Sequence, residues 1–424
     1  MKLSLNQERY LLAEQFTQAN YSLPFSFQIK GDLDTKKLVD ALHNVINNNE
    51  ALRIKIHLDK AGHYTQLVDA KIDFKLDYIE LLNSDDDKIK SIISQYFLTK
   101  AAILDTNLVK FQLIKLANQA HIFTFSLHHI IADGISRILF TEQLAKAWNN
   151  PNSPVLTNQP QINQYFQTLS NNTFFQIEAL SAQKSYWLNY LSNAKHTAIP
   201  ADFTSTDSTE IKFEEQLHVI NDNLTAQINQ FARRHYVSTF NVFYAVYNIL
   251  ISRYSAESDV CTTFQSHGRQ NLKEASDSIG LYSCALILRE HVSDNITIQD
   301  LIANLRNNIY QSIQNQRYPY HYVIKDTGIH PKYAINWYPK HHDPIMDGVE
   351  VAEVSYVAKQ SDFDLNLHCN LVGNEIHLEP RFNPNTFSPN RIQVLLKQFE
   401  NLLKQVISNP DKIINRLCVN KRLL

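Results

Sequence analysis

The stretch from His121 to Trp148 limits what this chain can fold into more than any other. In HIFTFSL, His121, Phe123, Phe125 and Leu127 fall on one side of an extended segment and Ile122, Thr124 and Ser126 on the other. That period-two pattern, rich in aromatic and β-branched residues, predicts a strand. Further on, Ile135, Ile138, Leu139, Leu144 and Trp148 recur at helical steps and predict an amphipathic helix. Between the two lies His128-His129-Ile130-Ile131-Ala132-Asp133-Gly134, with Asp133 where a helix N-cap belongs. The chain has only eight glycines in 424 residues, far below the usage of about 7% in average proteins, so Gly134 is expected to meet a backbone need. A histidine at a strand end, or an Asp-Gly turn, is ordinarily packing and nothing more. Two histidines and an Asp-Gly on one strand-to-helix turn are far more specific.

Length and composition narrow the field. A chain of 424 residues exceeds what one hydrophobic core organises, which predicts two lobes. Net charge is −2 and the pI about 6.8, so no electrostatic argument favours nucleic acid or a membrane surface as partner. Cys261, Cys284, Cys369 and Cys418 are widely spaced with no CxxC pair, and are expected to be reduced thiols rather than a disulfide or zinc framework. His341-His342-Asp343 are consecutive in a proline-flanked loop, and adjacent side chains rarely converge on one ion, so no metal is expected. The N-terminal segment is polar too early for a signal peptide, and no apolar run approaches a membrane span. A cytoplasmic location is the expectation.

Along the chain, LSLNQERYLLAEQFTQ predicts a helix with Leu5, Leu12 and Phe16 towards one side, and YSLPFSFQIKG a strand. Leu38, Leu42 and Ile46 mark a second helix at four-residue steps. Residues 149–160, polar and with three prolines, read as a loop between lobes. From about residue 180 the pattern restarts: IKFEEQLHVI as a strand, LTAQINQFARRHY and FNVFYAVYNILISRYS as helices, and at the end a strand pair and a long helix. The predicted plan is α+β, with lobes at 1–175 and 176–424.

The HHIIADG string, placed between a strand and a helix, resembles the HHxxxDG core motif of the condensation domains of nonribosomal peptide synthetases. These share HxxxD with a larger acyltransferase group that includes chloramphenicol acetyltransferase. The likeness extends along the chain. The opening helix, with Ser4 and Gln7, resembles the family's first motif, and Glu50-Ala51-Leu52-Arg53 the end of its second, although Asn48-Asn49 replaces the usual Arg-His. Tyr165 matches a tyrosine of the fourth motif. Ile279-Gly280 to Arg289 resembles the fifth, with Cys284-Ala285 in place of Asn-Thr. Pro319-Tyr320 resembles part of the sixth, and Asn336-Trp337 lies on the strand of the seventh.

This resemblance implies two chloramphenicol-acetyltransferase-like lobes forming a V-shaped pseudodimer with a tunnel at the interface. It implies His129 as the catalytic histidine, either removing the amine's proton or positioning the amine. Gly134 would admit the backbone to the tetrahedral intermediate and donate an N–H. His128 would be structural, and Asp133 would be a buried aspartate paired with Arg269 from the second lobe. Ser283, Cys284, Asn336 and Trp337 would contact substrate. No permanently bound cofactor is implied; the donor would arrive on the phosphopantetheine arm of an acyl or peptidyl carrier protein, and the acceptor would be a small amine or a second carrier-bound group.

Three activities fit: a free-standing amide-forming condensation enzyme, a coenzyme-A-dependent O- or N-acyltransferase, and an epimerase. The last ranks lowest, because the glutamate in the epimerase pattern is Gln265 here, and an amide cannot act as a base. Asp277-Ser278 resembles a carrier attachment site but lacks the preceding glycines, with Ala275-Ser276 in their place.

Overall fold

The first of two sheets is built around the predicted strand. The computed structural model of the chain describes residues 1–16, 21–82, 85–98, 103–151, 165, 168–169, 176–203, 213–270, 272, 275–338, 343–354 and 361–417. The loop expected between lobes, the pair His341-His342 and Cys418 lie at least partly outside them. The chain forms two compact units. The first comprises Met1–Ala179, His267–Ser283 and His341–Ala358, and the second Leu180–Ser266, Cys284–Lys340 and Lys359–Leu424. The units are therefore not two consecutive stretches, because two later segments pack into the first.

The first unit runs α1 (Leu5–Phe16), β1 (Ser22–Gly31), α2 (Thr35–Asn48), β2 (Ile54–Leu58), β3 (Tyr64–Val68), β4 (Leu76–Glu80), α3 (Asp86–Leu98), β5 (Val109–Lys115), β6 (Ala120–His128) and α4 (Gly134–Asn149). Its sheet has the order β12-β1-β6-β5-β4, with β4 parallel to β5 and the other pairs antiparallel. The edge strand β12 (Val349–Val354) comes from the third segment of the unit. Both faces of β6 are buried, so its alternation separates aromatic from small polar residues rather than core from solvent. On the polar side Thr124 meets Ser26 across the ladder, their hydroxyls 2.8 Å apart, which satisfies both inside the sheet. Leu38, Leu42 and Ile46 of α2 are buried as the spacing predicts.

The second unit contains α5 (Ser181–Tyr190), β7 (Glu214–Glu215), β8 (His218–Ile220), α6 (Asp222–Arg234), α7 (Thr239–Ser255), β9 (Asp259–Ser266), β10 (Cys284–His291), α8 (Ile298–Gln314), α9 (Tyr320–Thr327), β11 (Tyr333–Tyr338), β13 (Leu365–Val372), β14 (Glu375–Phe382) and α10 (Pro389–Ser408). Its mixed sheet has the order β10-β9-β11-β13-β14-β7, with β8 also on β14. Among the described residues, the strand expected across IKFEEQLHVI is two short pieces, β7 and β8, and its first two residues lie outside them. Helix α7 is buried on nearly every face, as an apolar helix inside a domain must be.

The edge strand β10 carries two charged neighbours in different settings. Arg289 forms a bidentate pair with Asp259, at 2.8 and 2.7 Å, and donates to the Ser192 carbonyl at 2.7 Å. Glu290 is buried, and its carboxyl accepts from Asn308 at 2.8 Å. Burial outweighs that hydrogen bond and pushes its pKa up to about 7. A carboxyl raised in this way binds its proton more tightly folded than unfolded. Its contribution is therefore fully present below the unfolded value near 4.5 and is lost as pH rises through about 7. Glu290→Gln is accordingly expected to raise stability at pH 8 by about 2–3 kcal/mol and to match the wild type below pH 4.5. Denaturant melts across that range check this, and parallel pH curves for the two proteins would contradict it.

Candidate active site

The turn after β6 is held from two sides. His128 N–H donates to the Leu108 carbonyl and His129 N–H to the Tyr21 carbonyl, each at 2.9 Å, so the histidines leave the sheet with their backbone still fixed. The imidazole of His128 is fully engaged. Its Nδ1 accepts from Ile130 N–H at 3.1 Å, which leaves the proton on Nε2, 2.7 Å from the buried carboxylate of Glu14.

His129 has other surroundings. Its ring stacks on Tyr10, with centroids 4.4 Å apart and planes at 17°, and its Nε2 lies 3.3 Å from the Tyr10 hydroxyl. Nδ1 is buried without a hydrogen-bond partner among the described residues. Burial is the dominant influence and pushes the pKa down to about 4, with Arg9 and His128 acting the same way and Asp133 against them. His129 is therefore a neutral imidazole at pH 7.

Asp133 caps α4, accepting from Ser136 N–H at 2.9 Å. Its second oxygen accepts from Arg269 Nη1 at 2.7 Å and from the N–H groups of Tyr282 and Ser283 at 3.0 and 3.1 Å. Burial opposes ionisation, but Arg269 and these donors together hold its pKa below the usual carboxylate value. The other guanidinium N–H groups of Arg269 reach the carbonyls of His267, Ala275 and Ser278 and the hydroxyl of Ser136, and its plane covers the Tyr282 ring. Arg269, expected from a second lobe, thus belongs to the segment His267–Ser283 that packs into the first unit. Gly268 permits that path: its φ is +69°, and a Cβ there would fall 1.8 Å from the Tyr282 carbonyl oxygen.

The remaining predicted residues are placed as follows. Gly134 is the first residue of α4. The Ser283 backbone binds Asp133, and its carbonyl accepts from Asn6 at 3.4 Å. Cys284, Asn336 and Trp337 belong to the second unit. There Cys284 opens β10, Asn336 bridges Gln265 N–H and the Asn366 side chain inside the sheet, and Trp337 packs edge-on against Phe243. The serine of the carrier-like Asp277-Ser278 is buried and accepts from the Tyr282 hydroxyl at 2.9 Å. Among the described residues no cluster of metal-binding side chains is present, and no helix is long and apolar enough to cross a membrane.

Sequence reading missed the contribution of α1. Leu12, expected on its packed face, is 41% exposed. The buried stripe includes Gln7, Tyr10 and Glu14, and it meets the turn in register: Gln7 donates to the Ile130 carbonyl at 3.2 Å, Tyr10 stacks on His129, and Glu14 binds His128. Ser4 and Gln7 form a reciprocal capping box at the start of the helix. The available signal was polar residues at i, i+3 and i+7, which a search for apolar periodicity passes over.

A family model described as the condensation domain matches residues 1–421. The chain belongs to the condensation-domain family. Bacitracin synthase 1 of Bacillus licheniformis is 24% identical over 431 residues, a match covering 99% of this chain but only 8% of that protein. This domain therefore spans a small fraction of such a relative. The X-domain from teicoplanin biosynthesis has a TM-score of 0.83 at 17% identity, over 99% of this chain and 97% of its own, and has also been solved in complex with OxyB. The starter condensation domain of rhizomide synthetase, solved with C8-CoA, gives 0.83 at 17%, over 98% and 96%. The fold is the two-lobed, chloramphenicol-acetyltransferase-like α+β fold of condensation domains in nonribosomal peptide synthesis.

Removing one partner of a buried ion pair leaves the other charge stranded, at a cost of about 3–5 kcal/mol. Asp133→Ala is expected to lower the melting temperature by that equivalent. The double variant Asp133→Ala/Arg269→Met should recover only part, because the N–H groups of Tyr282 and Ser283 stay unpaired. Calorimetry of the three proteins checks both; wild-type melting of Asp133→Ala would contradict the buried pair.

Proposed function

We propose that this domain joins an acyl group, carried as a thioester on the phosphopantetheine arm of a carrier protein, to an amine. The amine nitrogen attacks the thioester carbonyl, the C–N bond forms, the C–S bond breaks, and the arm leaves as a thiol once a proton has passed from nitrogen to sulfur. The observation that carries this reading is a neutral His129 at the end of a strand whose neighbours on both sides are fixed, with Nε2 held, among the described residues, by one long contact. An unprotonated Nε2 accepts a hydrogen bond from the attacking amine. The Gly134 N–H, at the start of α4, is the assigned donor to the oxyanion, where the helix terminus favours negative charge. Asp133 and Arg269 hold the scaffold, and His128 holds the turn.

A second reading is favoured by one comparison, since the rhizomide starter domain was solved with C8-CoA. Here the donor would be a coenzyme A thioester. Offering one acyl group on a holo-carrier and as the coenzyme A thioester, with the same amine, separates the two. Faster amide formation from the carrier is expected, and faster formation from coenzyme A would move the domain to the second reading. Turnover from neither, with binding to a tailoring protein, would favour the docking role that the X-domain–OxyB complex represents.

His129→Ala should retain the fold and lose about 10²- to 10⁴-fold in rate, the usual contribution of a positioned acid–base group. The depressed pKa also sets the pH dependence. The imidazole stays neutral down to about 4, so kcat/KM expressed per unprotonated amine is expected to be level through pH 6.5 and to fall only towards 4. An acid limb centred at the ordinary histidine value would show that the ring is solvated during turnover.

A further inference from the structure

The edge strand β10 breaks its own pattern at one place. By the strand's period of two, Leu286, Leu288 and Glu290 share one side, and all three are buried. Across the ladder Glu290 lies opposite Val260 of β9, which is buried as well. A carboxyl thus occupies a position that the strand elsewhere fills with leucine. Beside it, β9, β10 and α8 enclose a cavity of about 500 Å³, with Glu290 in its wall. That volume is within the range of small-molecule sites.

We propose that this cavity is a binding site for a small organic cation, a primary ammonium compound, held by the ionised carboxylate of Glu290. The site is independent of the amide-forming reading and shares no residue with the HHIIADG turn.

The lining selects the charge of the ligand. Asp259 and Arg289 cancel each other as a bidentate pair, and Arg289 is further engaged by the carbonyls of Tyr190 and Ser192. From α8 come Asn304, Asn307 and Asn308, neutral amides with no acid or base among them. His291 lines the cavity from the exposed end of β10. The phenols of Tyr190 on α5 and Tyr244 on α7 also lie within reach of the Glu290 charge, which adds to the burial that raises their pKa values. Glu290 accepts from Asn308 at 2.8 Å, and among the described residues no cationic side chain pairs with it. Once ionised it is a buried charge without a counter-ion, and burial accordingly pushes its pKa up to about 7.

A cation entering the cavity removes that penalty, whereas a neutral or anionic ligand does not. A quaternary ammonium is poorly matched, because it is held by aromatic faces and none lines the cavity. A metal ion is poorly matched too, since the described residues hold no group of three metal-binding side chains. A primary ammonium carries three N–H donors, which the carboxylate and the amide oxygens of Asn304 and Asn307 can accept. Only the ionised carboxylate attracts it. Affinity therefore rises as pH climbs through about 7 and is level above.

The test is a ¹³C NMR titration of the Glu290 carboxyl in the full chain, its signal assigned by its loss in Glu290→Gln. Ethylammonium chloride is the probe, and sodium chloride at equal ionic strength is the control. The midpoint near 7 is expected to fall to about 6 once the probe reaches about ten times its Kd. Sodium chloride should leave it in place. Glu290→Gln keeps the shape of the side chain and should bind ethylammonium about tenfold more weakly or worse. Asn304→Leu fills the cavity from α8 without replacing the carboxyl and should abolish the response to the probe. An unmoved midpoint, an equal fall in sodium chloride, or undiminished binding by Glu290→Gln overturns the proposal. So does an affinity that weakens as pH rises from 6 to 8.

Discussion

The buried pair of Asp133 and Arg269 organises the ground beneath the turn. An isolated ion pair in a protein interior is a poor source of stability, because desolvating two charges can outweigh their attraction. Here the cost is offset by completeness. Asp133 accepts four N–H groups, and the Arg269 guanidinium reaches four backbone carbonyls and a serine hydroxyl besides the carboxylate. Most of these partners lie in the segment His267–Ser283, whose described residues form no strand. Its path is set by the groups it presents to the pair. Ser136 ties it further, accepting from Gly280 N–H at 3.0 Å. The aspartate thus caps a helix, neutralises an arginine and shapes a loop, all through two oxygens.

A second constraint comes from α1. A five-residue turn between a strand and a helix has backbone and side-chain polar groups that an apolar surface cannot satisfy. Helix α1 answers with Gln7, Tyr10 and Glu14, one residue for each of Ile130, His129 and His128. Its buried side combines these with Leu5 and Leu11 and leaves Leu12 exposed. Helix α4 shows the same effect: Ser136, Phe140, Gln143 and Leu144 are buried, whereas Ile135, Ile138 and Leu139 are only partly covered.

That contrast explains what was legible in the sequence. The alternation of β6, the N-cap at Asp133 and the packed face of α2 were readable because each depends on nearest neighbours along the chain. The buried faces of α1 and α4 were read only in part, through Leu5, Leu144 and Trp148, because polar satisfaction outweighs apolar periodicity beside the turn. The placement of β12 on β1, with Ser26 opposite Val354, joins residues more than 300 positions apart, and no local pattern announces it. The histidines, the aspartate and the glycine were visible as a motif. Tyr10, Glu14 and Ser136 were not, since their roles come from what they touch rather than from their spacing to it.

The geometry also bears on how the histidine would work in the proposed reaction. In a histidine–carboxylate dyad the carboxylate stabilises the imidazolium and lets the ring act as a strong base. The aspartate four residues after His129 is not free for that task; Arg269 and the cap hold it. With no carboxylate on its buried nitrogen among the described residues and burial acting against positive charge, His129 has a pKa of about 4. A base that weak is poorly matched to full proton abstraction at neutral pH, where a value near the working pH serves best. It remains a good hydrogen-bond acceptor. An amine already lacks its extra proton when it attacks, so what it needs at the start is alignment of its lone pair with the thioester carbonyl. In the proposed reaction a fixed, neutral Nε2 would supply that alignment, and the nitrogen would become acidic enough to give up its proton only after the C–N bond has begun to form. On this view the string HHIIADG separates two tasks that a catalytic triad combines: the histidine orients the nucleophile, while the aspartate holds the scaffold in which it can do so.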